Sequence, residues 1–163
     1  VPLPRPHIIL IDGKSGVGKT GLAVRMATAL DATLVHLDDV YPGWGGLVAG
    51  RDAAIENLVI PLAEGLPGTY QAWDWERDSA GAVIEIAPSD VVVIEGCGMS
   101  TPQSRKLAST VVWVECDEKA RLARLLDRDS NQFDDFSEAW DKQVDDHIAQ
   151  NDPMRTATVV VRT

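Results

Sequence analysis

Gly13-Lys14-Ser15-Gly16-Val17-Gly18-Lys19-Thr20 is the run whose residue types and spacing can do chemistry. It matches G-x-x-x-x-G-K-[ST], a loop that cradles phosphates. Glycines let successive backbone N–H groups turn inward around an anion, because a Cβ would block that conformation. Lys19 brings a cation to the β- and γ-phosphates of a nucleoside triphosphate. Thr20 offers a hydroxyl to Mg²⁺.

Two acidic segments can complete such a site. Asp38-Asp39-Val40-Tyr41 follows the apolar run Thr33-Leu34-Val35-His36-Leu37. Glu95-Gly96-Cys97-Gly98 follows Val91-Val92-Val93-Ile94. A carboxylate at a strand end can take the proton of an acceptor hydroxyl. Spacing leaves Asp38 and Asp39 equal in that role, and turn capping is the alternative for either. Glu95 is expected to hold Mg²⁺, directly or through water. The competing reading is a solvated acid at a strand end.

The elements around these residues follow from hydrophobic spacing. Ile8-Ile9-Leu10-Ile11 reads as a buried strand before the glycine loop. Lys19–Leu30 reads as a helix with Leu22, Ala23, Met26 and Leu30 at helical spacing. The loop therefore opens onto a helix N-terminus, which favours an anion. Arg51–Glu64 predicts a helix with Ile55, Leu58, Val59 and Leu62 on one face and Pro61 as a flaw. Tyr70–Trp75 and Ala82–Ile86 suggest a hairpin. Val91–Ile94, Thr110–Val114 and Val159–Val161 predict further strands. Asp117 is placed to cap a helix running to about Asp129, with Leu122, Leu125 and Leu126 toward the core. Asp135–Gln150 predicts another helix.

Apolar strands alternating with helices imply a parallel sheet covered on both faces. The fold class is α/β: a P-loop NTPase fold, three-layer α/β/α, with a parallel five-stranded core sheet. Its ligands are expected at the carboxyl ends of the strands. The length suggests one domain over residues 1–163, with a flap at 68–88 and a mobile lid around 121–135.

Composition narrows the partners. Fifteen Lys and Arg against 25 Asp and Glu give a formal net charge of −10. That argues against a nucleic acid polymer as partner. No stretch is apolar enough to span a bilayer. The proline-rich start, Val1–Pro6, reads as an extended lead-in rather than a signal-peptide core. Cys97 and Cys116 have no metal or disulfide spacing and read as buried thiols, pointing to a cytoplasmic location. His36 is expected to be structural. Of five tryptophans, Trp113 and Trp140 read as core. Trp44, Trp73 and Trp75 fall in loop or flap segments, where they either stack on an acceptor or form a small core under the flap. Arg51 and Arg77 flank the aromatic stretch and either hold an anion or pair at the surface.

The order of motifs resembles the uridine kinase-like branch of P-loop kinases, which includes phosphoribulokinase-like and pantothenate kinase-like enzymes. Asp38-Asp39-Val40-Tyr41 resembles that branch's Asp-Ser-Phe-Tyr segment, which implies Asp38 as catalytic base. Trp73-Asp74-Trp75 resembles the Tyr-Asp-Phe segment of the acceptor pocket. Val91–Gly96 resembles the strand ending in Glu-Gly. Arg121–Asp129 resembles the lid helix with its Arg-x-x-Arg-Asp pattern. Alignment on Arg128-Asp129 puts Leu125 where the first lid arginine belongs. Arg124 stands one residue away, a turn of about 100° on a helix.

The resemblance implies an ATP-dependent kinase using ATP and Mg²⁺. It would transfer the γ-phosphoryl to a hydroxyl of a small molecule, a nucleoside first. Lys19, Arg124 and Arg128 would hold the phosphates, with Thr20 and Glu95 at the metal. Asp39, Tyr41, Trp44, Trp73, Asp74 and Trp75 would form the acceptor side. The alternative is a P-loop NTPase or nucleotide-dependent switch without a small-molecule acceptor.

Overall fold

The computed structural model describes residues 5–128 and 135–163. In chain order the first half runs β1 (His7–Asp12), α1 (Lys19–Leu30), β2 (Thr33–His36), a 3-10 turn (Leu37–Asp39), α2 (Leu47–Ala54), a π-helical stretch (Ile55–Val59) and α3 (Ile60–Ala63). Then come β3 (Gly68–Asp74), β4 (Ser79–Ile86), β5 (Val91–Glu95), α4 (Pro102–Leu107) and β6 (Thr110–Glu115). The chain ends with α5 (Glu118–Arg128), α6 (Asp135–Asn151), α7 (Pro153–Thr156) and β7 (Val159–Arg162). Of the lid expected around 121–135, residues 129–134 lie outside the described residues, as do residues 1–4.

Five strands form one parallel sheet in the order β2-β5-β1-β6-β7. The β3–β4 pair is a separate antiparallel hairpin. The sheet has the expected class and strand number. Alternate residues of the central strands feed two cores. Ile8, Leu10, Val92 and Ile94 pack with Leu47, Ile55, Leu58 and Val144 on one face. Ile9, Ile11, Val93, Val112 and Val114 pack with Ala23 and Ala27 of α1 on the other. β1 sits between β5 and β6, so the chain departs in opposite directions on either side of it. A crevice opens there at the carboxyl ends of the strands.

Some sequence expectations shift. The helix expected from Arg51 begins earlier, at Leu47, whose N–H donates to Gln143 Oε1 at 3.3 Å. Its π-helical stretch ends at Val59, two residues before Pro61. Proline has no N–H to give a carbonyl four residues back, and a wider turn resets the pairing. Asp117 does cap α5, accepting from Lys119 N at 3.0 Å and Ala120 N at 3.3 Å. Of the three leucines expected inward on α5, only Leu125 is buried; Leu122 and Leu126 are 37% and 38% exposed. The inner face is shared instead by Arg121, four residues before Leu125 and only 3% exposed. Leu30 of α1 is likewise exposed, because Ala23 and Ala27 form that helix's inner stripe. Cys97 is buried, whereas Cys116 is half-buried. Among the described residues no helix is long and apolar enough to cross a membrane.

Leu58 lies fully buried in the larger core. Leu58→Ala should cost about 2–5 kcal/mol in urea unfolding, whereas Leu122→Ala should stay within about 0.5 kcal/mol. Equal effects would contradict the packing described for α5.

Candidate active site

The glycine loop occupies the turn from β1 into α1. Gly16 has φ +83°, and a Cβ there would stand 2.9 Å from Leu125 Cγ. Gly18 has φ +94° and a Cβ would have more room there. The loop therefore needs glycine for conformation at both positions and for helix contact at Gly16.

Beneath the loop, one carboxylate organises the backbone. Asp12 is 1% exposed. Its Oδ1 accepts from Gly13 N at 2.7 Å and Gly98 N at 2.9 Å. Its Oδ2 accepts from Ser100 N at 2.9 Å and lies 2.9 Å from His147 Nε2. Asn151 contacts the other nitrogen of that ring at 3.1 Å. Sequence reading singled out neither Asp12 nor this use of His147. The available signal was an acid ending a fully apolar strand, where a buried charge must find donors.

Lys19 is 8% exposed, and its ammonium donates to Lys14 O at 2.9 Å and Cys97 Sγ at 3.4 Å. Burial opposes its charge, but Cys97, Glu95, Asp12 and Asp38 outweigh that and hold its pKa above the ordinary value. Lys19 is therefore a cation at neutral pH. Cys97 behaves oppositely: burial raises its thiol pKa, and neither Lys19 nor the Ser15 hydroxyl reverses the shift.

Thr20 Oγ1 donates to Glu95 Oε1 at 3.1 Å. The same oxygen lies 2.6 Å from His36 Nδ1. Glu95 is 3% exposed, so the solvated-acid reading fails. His36 pairs with Glu95 across the β2–β5 register and belongs to the site's edge. A hydroxyl and a carboxylate side by side are hard oxygen donors of the kind Mg²⁺ prefers. The donor set fits that ion.

Helix α5 backs the loop from the other side. Arg121 Nη1 donates to Ser15 O at 3.2 Å, while its Nη2 pairs with Glu118 at 2.7 Å and Asp141 at 3.0 Å. The Glu118 hydrogen bond, against the pull of burial and with help from Asp141, raises its pKa. Arg124 Nη1 donates to Gly16 O at 3.4 Å and Thr163 Oγ1 at 3.1 Å. A cavity of about 230 Å³ opens above the loop, lined by Lys19, Thr20, Asp38, Glu95, Arg124 and Arg128, among others. Arg124 and Arg128, four apart on α5, both line it. Leu125 is buried against Gly16 and also lines the cavity, and Arg124 reaches the loop beside it.

A second cavity of about 420 Å³ is lined by Ser15, Asp38, Tyr41, Trp44, Trp75, Arg128 and Trp140. Tyr41 is 1% exposed and donates to Cys97 O at 2.6 Å. Trp75 Nε1 donates to Asp38 O at 2.8 Å, tying the hairpin turn to the acid. Trp140 was expected in the core; it is 6% exposed but also walls this cavity and donates to Ser15 Oγ at 3.1 Å. Lys14 forms an ion pair with Asp145 at 2.7 Å.

The remaining candidates fall elsewhere. Asp39 lines neither cavity. It lies beside Tyr70, whose pKa is raised by burial and then by Asp39. Asp74 Oδ1 accepts from Glu76 N at 3.1 Å and Arg77 N at 3.0 Å, capping the hairpin turn. Trp73 lines a separate space between the hairpin and α2. β3 ends at Asp74, so Trp75 escapes the strand's alternation and turns to the crevice while Trp73 does not. Arg51 pairs with Asp52 at 2.8 Å, and Arg77 reaches Asp74 at 3.6 Å.

The AAA_18 family model, described as an AAA domain, matches residues 9–144. The chain belongs to this family. Solved structures extend the likeness across nearly the whole AAA domain chain. A structure described as a "Possible Uridine Kinase" from Bacillus stearothermophilus is 20% identical with a TM-score of 0.72, covering 98% of this chain and 90% of that one. A protein assigned as a fructose transport system kinase from Silicibacter sp. TM1040 is 21% identical with a TM-score of 0.66, covering 98% and 91%. Shikimate kinase from Bacteroides thetaiotaomicron is 16% identical with a TM-score of 0.54, covering 96% and 85%. At these identities the likeness is one of fold: the α/β fold of P-loop kinases. No curated protein matches the chain by sequence.

Two measurements check this geometry. Asp12→Asn turns an amide N–H₂ toward donors that need an acceptor, and should cost about 1–3 kcal/mol in urea unfolding. The buried, protonated Cys97 should alkylate with iodoacetamide more slowly than Cys116, read by peptide mass spectrometry. Faster reaction at Cys97 would overturn the burial and charge assigned to it.

Proposed function

We propose that the protein is an ATP-dependent phosphotransferase that moves the γ-phosphoryl of ATP to a hydroxyl of a small molecule, a nucleoside first. The carrying observation is that Ser15, Asp38 and Arg128 line both cavities. A phosphate-binding space and an aromatic space thus meet at one carboxylate. Transfer between two ligands needs that adjacency and a proton acceptor at the junction.

The glycine loop and Lys19 hold the triphosphate. Thr20 and Glu95 hold Mg²⁺, which neutralises charge on the phosphates when bound. Asp38 takes the acceptor's hydroxyl proton; of the two adjacent acids, only Asp38 lines the cavities. Arg124 and Arg128 counter charge developing on the transferred group. Tyr41, Trp44, Trp75 and Trp140 enclose the acceptor. The kinase descriptions of the fold's neighbours agree with this class of reaction. A nucleotide switch without a small acceptor is the second reading. The exposure of Trp44 at 40% and Phe136 at 56% is the observation on its side.

ADP release from Mg·ATP, measured against nucleosides, sugars and small alcohols, separates the two. Lys19→Ala should abolish turnover. Asp38→Asn should lower acceptor-stimulated kcat by about 10²–10⁴ while ATP still binds. Acceptor-stimulated turnover that survives Asp38→Asn would remove Asp38 as base. ATP binding with no stimulation by any acceptor would favour the switch.

A further inference from the structure

The aromatic cavity has an unusual division of labour. Its rings stand at steep angles to one another. Trp44 and Trp75 lie 5.2 Å apart at 62°, Trp44 and Trp140 6.3 Å apart at 84°, and Tyr41 and Trp140 4.7 Å apart at 68°. They form walls rather than a stack. The hydrogen-bond donors of three of these rings are spent on the protein itself. Tyr41 donates to Cys97 O, Trp75 to Asp38 O and Trp140 to Ser15 Oγ.

The other side chains lining the cavity are Ser15, Asp38 and Arg128. All three also line the phosphate cavity. Apart from the Trp44 indole N–H, the cavity's polar side-chain groups therefore gather where the transferred phosphoryl and the acceptor hydroxyl must meet. Among the described residues, the rest of the lining is ring. Flat rings bury large areas and favour flat partners, and a stacked ring is worth about 1–3 kcal/mol. Stacking is indifferent to which edge groups the partner carries, because every aromatic ring has a face.

Resting on the phosphotransferase reading, we infer that the acceptor is an alcohol whose flat, uncharged ring is held by its faces and not read at its edges. The hydroxyl is delivered to Asp38 while the ring lies among Trp44, Trp75 and Trp140. Such a site treats different bases as equivalents and selects against an acceptor without a flat aromatic ring. A site built to hydrogen-bond an edge behaves oppositely. It rejects an analogue lacking the edge groups by about 10⁴–10⁵, because its own buried polar groups are left unpaired.

The test compares kcat/KM for uridine, adenosine, D-ribose and a riboside carrying phenyl in place of the base, all with Mg·ATP. The three ring-bearing compounds should agree within about tenfold, and ribose should fall about 10–100-fold below them, the worth of one stacked ring. Trp44→Ala, at an exposed position, should bring all three down together toward ribose. A phenyl riboside more than about 10³-fold poorer than uridine would establish edge reading and overturn the inference. Ribose equal to uridine would overturn it too. If none of the four stimulates ADP release, the nucleoside reading has failed on its own account. Quenching of tryptophan fluorescence in the Mg·ADP-loaded protein then decides the cavity. Kd values for uridine and phenyl riboside within about tenfold, both weakened by Trp44→Ala, uphold face binding. Binding of uridine alone, or of neither up to about 10 mM where even millimolar affinity would register, overturns it.

Discussion

The carboxylate of Asp12 is the constraint on which the site's geometry rests. It is buried beneath the glycine loop and surrounded by donors from three parts of the chain. An unpaired charge at that depth would cost far more than the protein's margin of stability. The donors must therefore stay where they are. Gly13 starts the phosphate loop, Gly98 and Ser100 follow β5, and His147 belongs to α6. One anion thus fixes the loop, the strand end that carries Glu95 and the helix that carries Trp140.

Helix α6 transmits that anchoring to the aromatic cavity. From one end to the other it sends Trp140 to Ser15, Gln143 to the Trp44 carbonyl and to Leu47 N, and His147 to Asp12. Trp44 in turn meets Trp75 from the hairpin and both Phe136 and Trp140 from α6. The aromatic cavity is consequently built by a loop, a hairpin turn and a helix far apart in sequence. Its shape depends on all three being held against the same phosphate loop.

Electrostatics are local here. The whole chain is strongly acidic, yet Lys19, Arg124 and Arg128 converge on one cavity. Surrounding acids keep Lys19 charged despite its burial. Glu95, by contrast, is satisfied by Thr20 and His36. Net charge therefore speaks to long-range attraction of polymers, while the site is governed by contacts within a few ångströms.

The phosphate loop, the parallel sheet and the strand-end acids were legible in the sequence because each rests on local rules. A glycine-rich loop between an apolar strand and a helix has one physical reading, and apolar runs without alternation imply a sheet covered on both faces. What the sequence alone left open was decided by distant neighbours. Asp38 and Asp39 are adjacent and chemically identical; the turn after β2 puts one at the cavities and the other beside Tyr70. Trp73 and Trp75 differ only in whether the strand has ended. Arg121 took the inner face expected for leucines because Glu118 and Asp141 supply compensating charge there. Asp12 and His147 are 135 positions apart. Periodicity and spacing describe one element at a time, so the sequence determined the elements and the glycine loop between β1 and α1. Only the tertiary structure could decide which side chains share a buried charge or a common wall.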